Sequence, residues 1–458
     1  MELYINGLFG GRRIKMAQFL FLLPPNPRVY SEKSTEVIEN SSPPLGISYL
    51  ASLLEQKECE VRIIDMNLTG INVEDIVPII EKEQPQVVGI STGTPTFPNG
   101  VRIADLIKAV HPQTYIVFGG IHATSLPNEA LINPSIDIVC RGEGELVIAD
   151  LYEALILSKK PLAEVPGISF KIDDQVIHNP PREYITNLDE IPFPARHLLS
   201  LSKYSQRGAM VTSRGCPARC IFCSCGAFAG RTIRTRSPEN VIAEIRVMHE
   251  TYGITQFQFH DDTFTMFPDR AIEVCKLLIK ENKGWEFGCQ SRVTQITQEL
   301  ADILYAAGCR DIQFGVESGN PYVLRSIRKG ITLEKVEEAV KAVRKAGIPH
   351  ITCGFMVAHP EDTKETIKDT VNFAKKLIGL GATSCPMSIF TPYPGTDIFN
   401  NPEKYGIKIL SRDWEKYTFS RAHIETKNLT QREIHELYVE GLIQILEAQG
   451  NKPFQKTS

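Results

Sequence analysis

CPARCIFCSC, residues 216 to 225, carries four of the eleven cysteines of a 458-residue chain. Between them lie three residues, then two, then one. Disulfides, a zinc site, an iron–sulfur cluster and chance are the four explanations for thiols packed this closely. The rest of the chain bears on the choice. Its 50 Lys and Arg against 54 Asp and Glu give a formal charge of −4, which argues against a general nucleic-acid or anionic-membrane binder, because either favours a basic surface. A composition 42% hydrophobic and 23% charged is that of an ordinary globular protein. No apolar run approaches the roughly 18–20 residues needed to span a bilayer. Near the start, GRRIKMAQFLFLLPPNP sets basic residues before an apolar run, but the run is short, stops at Pro24–Pro25 and lacks a small-residue cleavage site. AQFLFLLP therefore reads as a buried first strand, and residues 1–16 as an N-terminal extension. Without an export signal and with an odd cysteine count, the chain is expected in the reducing cytosol, where disulfides are disfavoured.

Structural zinc usually takes two separated pairs of ligands, and no second CxxC pair exists here. A 4Fe–4S cube is the better reading. Full cysteine ligation takes four thiolates, so the CxxxCxxC of Cys216, Cys220 and Cys223 would hold three irons and leave the fourth open to a small molecule. Cys225 reads as a free thiol beside the cluster, because a one-residue bite at the end of this loop is tight for a fourth ligand.

A chain of this length is expected to form two domains and an extension. From Gln18 to about Leu157, FLFLLPP, VRIIDMN, VVGISTG, YIVFGG and DIVCRG read as buried parallel strands. Between them PPLGISYLASLLEQ, VEDIVPIIEKE and NGVRIADLIKAVH have helical spacing. This alternation implies an α/β doubly wound, Rossmann-like sheet over residues 17–157, with ligands at the carboxyl ends of its strands. Residues 158–204 read as a linker that includes a hairpin. A second α/β series occupies residues 205–396, with MVTSRG, QFQFHDD, EFGCQSRV, DIQFGVES, HITCGFMV and SCPMSIF as six strands. Six βα units predict a partial TIM-type (β/α)6 barrel with its chemistry at the carboxyl-terminal rim. The cysteine loop follows the first of these strands. Residues 397–458 read as a helical extension with one clear helix, QREIHELYVEGLIQILEAQ.

Residues 210–396 resemble the radical S-adenosylmethionine (radical SAM) superfamily, whose signature is CxxxCxxC with an aromatic residue, here Phe222, before the third cysteine. The resemblance implies that Cys216, Cys220 and Cys223 ligate a 4Fe–4S cluster and that SAM chelates the open iron. It implies cleavage of SAM to methionine and a 5′-deoxyadenosyl radical, with electrons from an external flavodoxin- or ferredoxin-type donor. SAM contacts are implied at Phe222, at Asp261 and Asp262 in HDDTF, at Arg292 in QSRV through a bidentate carboxylate contact, and at Glu317 in GVESG. The loop FMVAHPEDT resembles one near the adenine, although His359 stands where glycine is usual.

The first half resembles the cobalamin-binding domain found ahead of such barrels. Its first turn, PPNPRVYSEK, lacks GxGxxG and gives no support for dinucleotide binding. Ser91, Thr92 and Gly93 end the third strand and Gly119–Gly120 the fourth. They resemble the serine and Gly-Gly pair of the cobalamin fold, where small residues leave a slot for the nucleotide tail of B12. His122 is a further implied corrin contact. One departure stands out: the DxHxxG loop whose His coordinates cobalt is missing, and DMNLTG (Asp65–Gly70) follows the wrong strand and has Asn67 in place of His. That stretch reads as a polar cap or coincidence. The remaining cysteines are scattered and read as buried apolar residues. Together the two resemblances imply a cobalamin-dependent radical SAM enzyme that methylates an unactivated carbon of a small-molecule substrate. The alternatives are an oxidative cyclase or ring-rearrangement enzyme with the same cofactors, and a non-catalytic cobalamin-binding sensor.

Overall fold

The computed structural model describes residues 17–27, 41–173 and 175–450. The extension expected over 1–16, and the PPNPRVYSEK turn from Arg28 onward, lie outside them. The chain divides into two units: one holds the chain up to Ile185, Glu190–Ser205 and Trp414–Lys416, the other Thr186–Asp189, Gln206–Asp413 and the chain from Tyr417 on.

In the first unit, β1 (Phe19–Leu23), β2 (Val61–Asp65), β3 (Val87–Ser91), β4 (Tyr115–Gly119) and β5 (Ile138–Cys140) pair in parallel in the order β2-β1-β3-β4-β5. Phe19, Leu20 and Leu22 are fully buried, as an interior strand covered on both faces requires. The helix Leu45–Glu55 turns Ile47, Ala51 and Leu54 onto Phe19 and Phe21. Strand order reverses between β1 and β3, and the carboxyl ends of the strands at such a switch point form a ligand crevice. The hairpin of the expected linker has a different role. β6 (Ile168–Ile172) and β7 (Gln175–His178) continue this sheet antiparallel from β5, with Ile138 opposite Phe170. Ile138 and Val139 would otherwise form an apolar edge, and buried Ile168 and Phe170 cover it.

The second unit opens with β8 (Gly208–Met210), followed by β9 (Ser213–Arg214) and β10 (Arg234–Thr235), which pair antiparallel with each other and close the cysteine loop at its base. β11 (Gln256–Phe259), β12 (Glu286–Ser291), β13 (Cys309–Glu317), β14 (His350–Val357) and β15 (Met387–Ile389) then add to β8 in chain order, all parallel. This is the expected open-edged barrel sheet. Alternation along β13 shows how it makes a site: Ile312 and Val316 are buried in the core, while Gln313, Gly315 and Glu317 line the interior. The tail is less helical than expected. An antiparallel ribbon of β16 (Ile407–Ile409) and β17 (Ile424–Thr426) precedes the helix Gln431–Ala448. Ile407 and Ile424 are buried, but three-residue strands are too short for periodicity to reveal. The final helix begins with a Thr430–Glu433 capping box. No helix among the described residues is long and apolar enough to cross a membrane.

A buried ion pair fixes the path from β8 into the cysteine loop. Arg236 donates to the Val211 carbonyl at 3.0 Å and to Asn240 at 2.7 Å, and pairs with Glu244, which is fully buried. Removing one partner strands the other's charge in the core. Glu244→Ala is therefore expected to lower unfolding free energy by about 3–5 kcal/mol, read as a shift in the urea midpoint, with Glu244→Gln costing less.

Candidate active site

The cysteine loop is held from several sides. Asp261, at the end of β11, is buried and accepts hydrogen bonds from the Thr212 amide, the Thr212 hydroxyl and the Ser213 hydroxyl, each at 2.6 Å. The Ile221 amide donates to the Ile327 carbonyl at 3.2 Å. Arg231 lies across the loop, donating to the Ala218 carbonyl at 2.5 Å with its guanidinium against Gly226. The result brings Cys216, Cys220, Cys223 and Cys225 to one cavity of about 400 Å³. Cys223 is exposed as a residue, but the side chains around its sulfur desolvate the thiol and push it above its ordinary value; the Cys225 amide opposes this, and the nearby Cys220, Asp262 and Cys216 add to it. Sulfurs that oppose one another's ionisation are stabilised as thiolates only by a compensating cation. That donor set suits an iron–sulfur cluster. Among the described residues no group of three His, Cys, Asp or Glu side chains is placed to hold a metal ion. The Cys225 thiol donates to Asp262 at 3.2 Å, so the fourth cysteine already has a carboxylate partner.

The residues expected around SAM separate into two groups. Phe222, Asp262, Arg292 and Glu317 all line the cavity. Asp261 does not: its carboxylate is turned inward to Thr212 and Ser213, so it anchors the loop instead of facing a ligand. Glu317 sits at a positive φ of 72°, in the left-handed region. Such backbone strain costs about 1–3 kcal/mol and persists where the surroundings enforce it. Here it aims the carboxylate at Lys329, 2.6 Å away, and both side chains are nearly buried. A Cβ on Gly315 would lie 2.8 Å from the Lys329 ammonium, so a side chain there would displace this pair. Arg292 donates to the Lys329 carbonyl at 2.7 Å. Sequence reasoning missed Lys329; the only signal was the aperiodic stretch RKG between two helices. It also missed Gln290, Gln313 and Thr352, which add neutral polar groups to the wall.

His359 backs this wall without lining the cavity. It is fully buried, its ring 5.8 Å from Phe222 and 5.9 Å from Phe390, and burial lowers its pKa to about 3. Beneath it, Asp362 accepts from the His359 amide at 2.8 Å and from Thr366 at 2.7 Å.

In the first unit, Ser91, Gly93, Gly119 and Gly120 are partly exposed at the carboxyl ends of β3 and β4. A Cβ on Gly119 would meet nothing within 4 Å, and Gly120 adopts a φ of 91°. Open space at Gly119, beside small residues at the carboxyl ends of these strands, suits the insertion of a slender group. Thr92 is buried, its amide 3.0 Å and its hydroxyl 3.4 Å from the Gly119 carbonyl, so it braces the strand ends. His122 is fully buried between Phe97 and Trp414, with ring centroids 4.2 and 5.1 Å away. Burial lowers its pKa to about 4. It is a core imidazole, covered by a tryptophan from far along the chain, and presents no surface to a corrin. Asn67 ties the ends of two strands, donating to the Pro24 carbonyl at 3.1 Å and accepting from the Asn26 amide at 2.6 Å. The DMNLTG stretch is therefore a polar cap.

A parallel barrel sheet with a three-thiol loop on its rim, preceded by a switch-point sheet with a glycine-lined edge, defines a two-part α/β class of enzyme. Residues 210–374 match the model of the Radical SAM superfamily and residues 34–152 that of the B12 binding domain. A protein of Pyrococcus horikoshii named as an uncharacterized methyltransferase is 35% identical, over 93% of this chain and 91% of its own length. An anaerobic magnesium-protoporphyrin IX monomethyl ester cyclase of Rubrivivax gelatinosus is 29% identical, over 83% of this chain and 70% of its own. The radical SAM methyltransferase TsrM of Kitasatospora setae, solved with cobalamin and a 4Fe–4S cluster bound, superposes with a TM-score of 0.71 at 20% identity, covering 86% of this chain and 80% of that one. That likeness is one of fold. The chain belongs to the radical SAM superfamily, among members with a B12-binding domain ahead of the barrel.

Asp362 makes the second unit pH-sensitive. Burial raises its pKa from 3.8 to about 7, against the lowering effect of its hydrogen bonds. The folded state therefore holds this proton where the unfolded state has lost it, and its contribution to stability is full below about pH 4 and lost as pH rises through 7. Asp362→Asn is expected to flatten the decline. Urea unfolding from pH 4 to 8 should show the wild type falling relative to the variant, by a few kcal/mol at most, with no further divergence above pH 8.

Proposed function

We propose that this chain is a cobalamin-dependent radical SAM methyltransferase acting on an unactivated carbon of a small molecule. The observation that carries the reading is the convergence of Cys216, Cys220 and Cys223 with Asp262, Arg292, Glu317 and Lys329 on one cavity at the barrel rim. The three cysteines would hold a 4Fe–4S cluster with one iron facing the cavity, and Ser91, Gly93, Gly119 and Gly120 would admit cobalamin. When bound, these groups supply reductive cleavage of SAM to a 5′-deoxyadenosyl radical and a carrier for the methyl group. The protein's own residues bind and orient. SAM presents a carboxylate, which Lys329 and Arg292 can neutralise, and an amine and ribose hydroxyls, for which Glu317 and Asp262 are acceptors. Phe222, Phe314, Val293 and Ile331 give the same cavity apolar wall, which keeps water from a reactive carbon centre. Hydrogen abstraction then depends chiefly on holding the substrate carbon close. The external electron donor and the cytosol, where thiols stay reduced, belong to this reading. The Rubrivivax relative favours one rival, an oxidative cyclase with the same cofactors.

Anaerobic reconstitution with iron, sulfide and hydroxocobalamin tests the proposal. About four irons per chain, one corrinoid, and release of 5′-deoxyadenosine under reduction are expected, with S-adenosylhomocysteine formed as well. Ala at Cys216, Cys220 or Cys223 should abolish cluster and deoxyadenosine together, whereas Cys225→Ala should still bind iron. Deoxyadenosine without S-adenosylhomocysteine would favour the cyclase, and neither product would leave only a sensor. Separately, Lys329→Met removes a charge-assisted contact and is expected to raise the Kd for SAM roughly tenfold to a hundredfold, measured by equilibrium binding, while iron content stays unchanged.

A further inference from the structure

We infer that Cys225 is a positioning residue for SAM: its thiol holds the Asp262 carboxylate in place to receive the SAM amine. The inference rests on the function proposed above and concerns a side chain that this function leaves unused. Two carboxylates line the cavity, Asp262 and Glu317. Glu317 already faces the Lys329 ammonium at 2.6 Å. Asp262 has no cation paired with it among the described residues, so it is the cavity's available acceptor for a cationic amine.

The two adjacent carboxylates are held very differently. Asp261 is locked by three donors at 2.6 Å. The Asp262 carboxylate receives one hydrogen bond among the described residues, from the Cys225 thiol at 3.2 Å. An ionised carboxylate only accepts, so the thiol is the donor. Cys225 is itself fixed from the other side, because its amide donates to the Cys223 sulfur at 3.4 Å. One residue therefore touches an expected cluster ligand through its backbone and an expected SAM contact through its side chain. Asp262 is exposed in the loop after β11. Without the thiol its side chain is free to rotate, and ligand binding must then stop that rotation at an entropic cost. A carboxylate already set in place avoids this cost, and it stands next to the loop that would carry the cluster.

The two contacts separate by mutation, since the amide remains when the side chain changes. The test measures equilibrium binding of SAM to the anaerobically reconstituted full chain, together with iron content and the electron paramagnetic resonance spectrum of the reduced, SAM-free cluster. Cys225→Ala should raise the Kd for SAM about threefold to tenfold, with iron content and the SAM-free spectrum unchanged. Cys225→Ser retains a donor and should bind SAM within about twofold of wild type. Asp262→Ala should also weaken SAM binding, and adding Cys225→Ala to it should cost nothing further, because the thiol acts through that carboxylate. Wild-type affinity in Cys225→Ala or in Asp262→Ala, a Ser variant as weak as Ala, or losses that add in the double variant would each overturn the positioning role. Lower iron content or an altered SAM-free spectrum in Cys225→Ala would overturn it too, by making Cys225 a cluster ligand. A wild type that takes up no cluster, or whose cluster binds no SAM, would instead overturn the function on which the inference rests.

Discussion

Three cysteines within eight residues of one another, brought to one cavity, are the constraint around which the barrel unit is arranged. Such groups oppose each other's ionisation until a cation compensates them, and the fold supports the loop that carries them. The supports are spread around it. β9 and β10 close the base, Asp261 takes three hydrogen bonds beneath it, and Ile327 and Arg231 secure its middle. Their combined effect is to hold the backbone while the triad's sulfurs remain on the cavity side, the kind of preorganisation a reactive site needs.

A second cost is carried by Glu317. A non-glycine residue in the left-handed region is tolerated where neighbouring contacts enforce it, and here the enforcing contact is Lys329, admitted by the missing side chain at Gly315. Strand, strained residue and lysine together place an ion pair on the wall of the cavity. Neither side chain reaches this position by regular secondary structure alone.

Much of this was legible in the sequence because it rests on local spacing. The apolar runs of β1 to β5 and of the six barrel strands are each flanked by helical periodicity, and CxxxCxxC is a pattern within a single loop. Where the sequence misled, the cause is a contact between distant residues. Nothing in HDDTF says which of two adjacent carboxylates turns inward; that depends on Thr212 and Ser213, some fifty residues earlier. His122 looked available because Trp414, which covers it, is nearly three hundred residues away. Lys329 carried no periodic signal, and the hairpin of β6 and β7 gave no sign that β5 lacked a neighbour. In each case burial was decided by tertiary packing.

The central claim is that one iron of the cluster lacks a protein ligand and faces the cavity. Mössbauer spectroscopy of the chain reconstituted with iron-57 measures this directly, before and after SAM is added. The account predicts that about one iron in four moves to the parameters of a higher-coordinate site when SAM binds, while the other three remain as they were. Four equivalent irons unmoved by SAM, or a single tetrathiolate iron in place of a cluster, would contradict it.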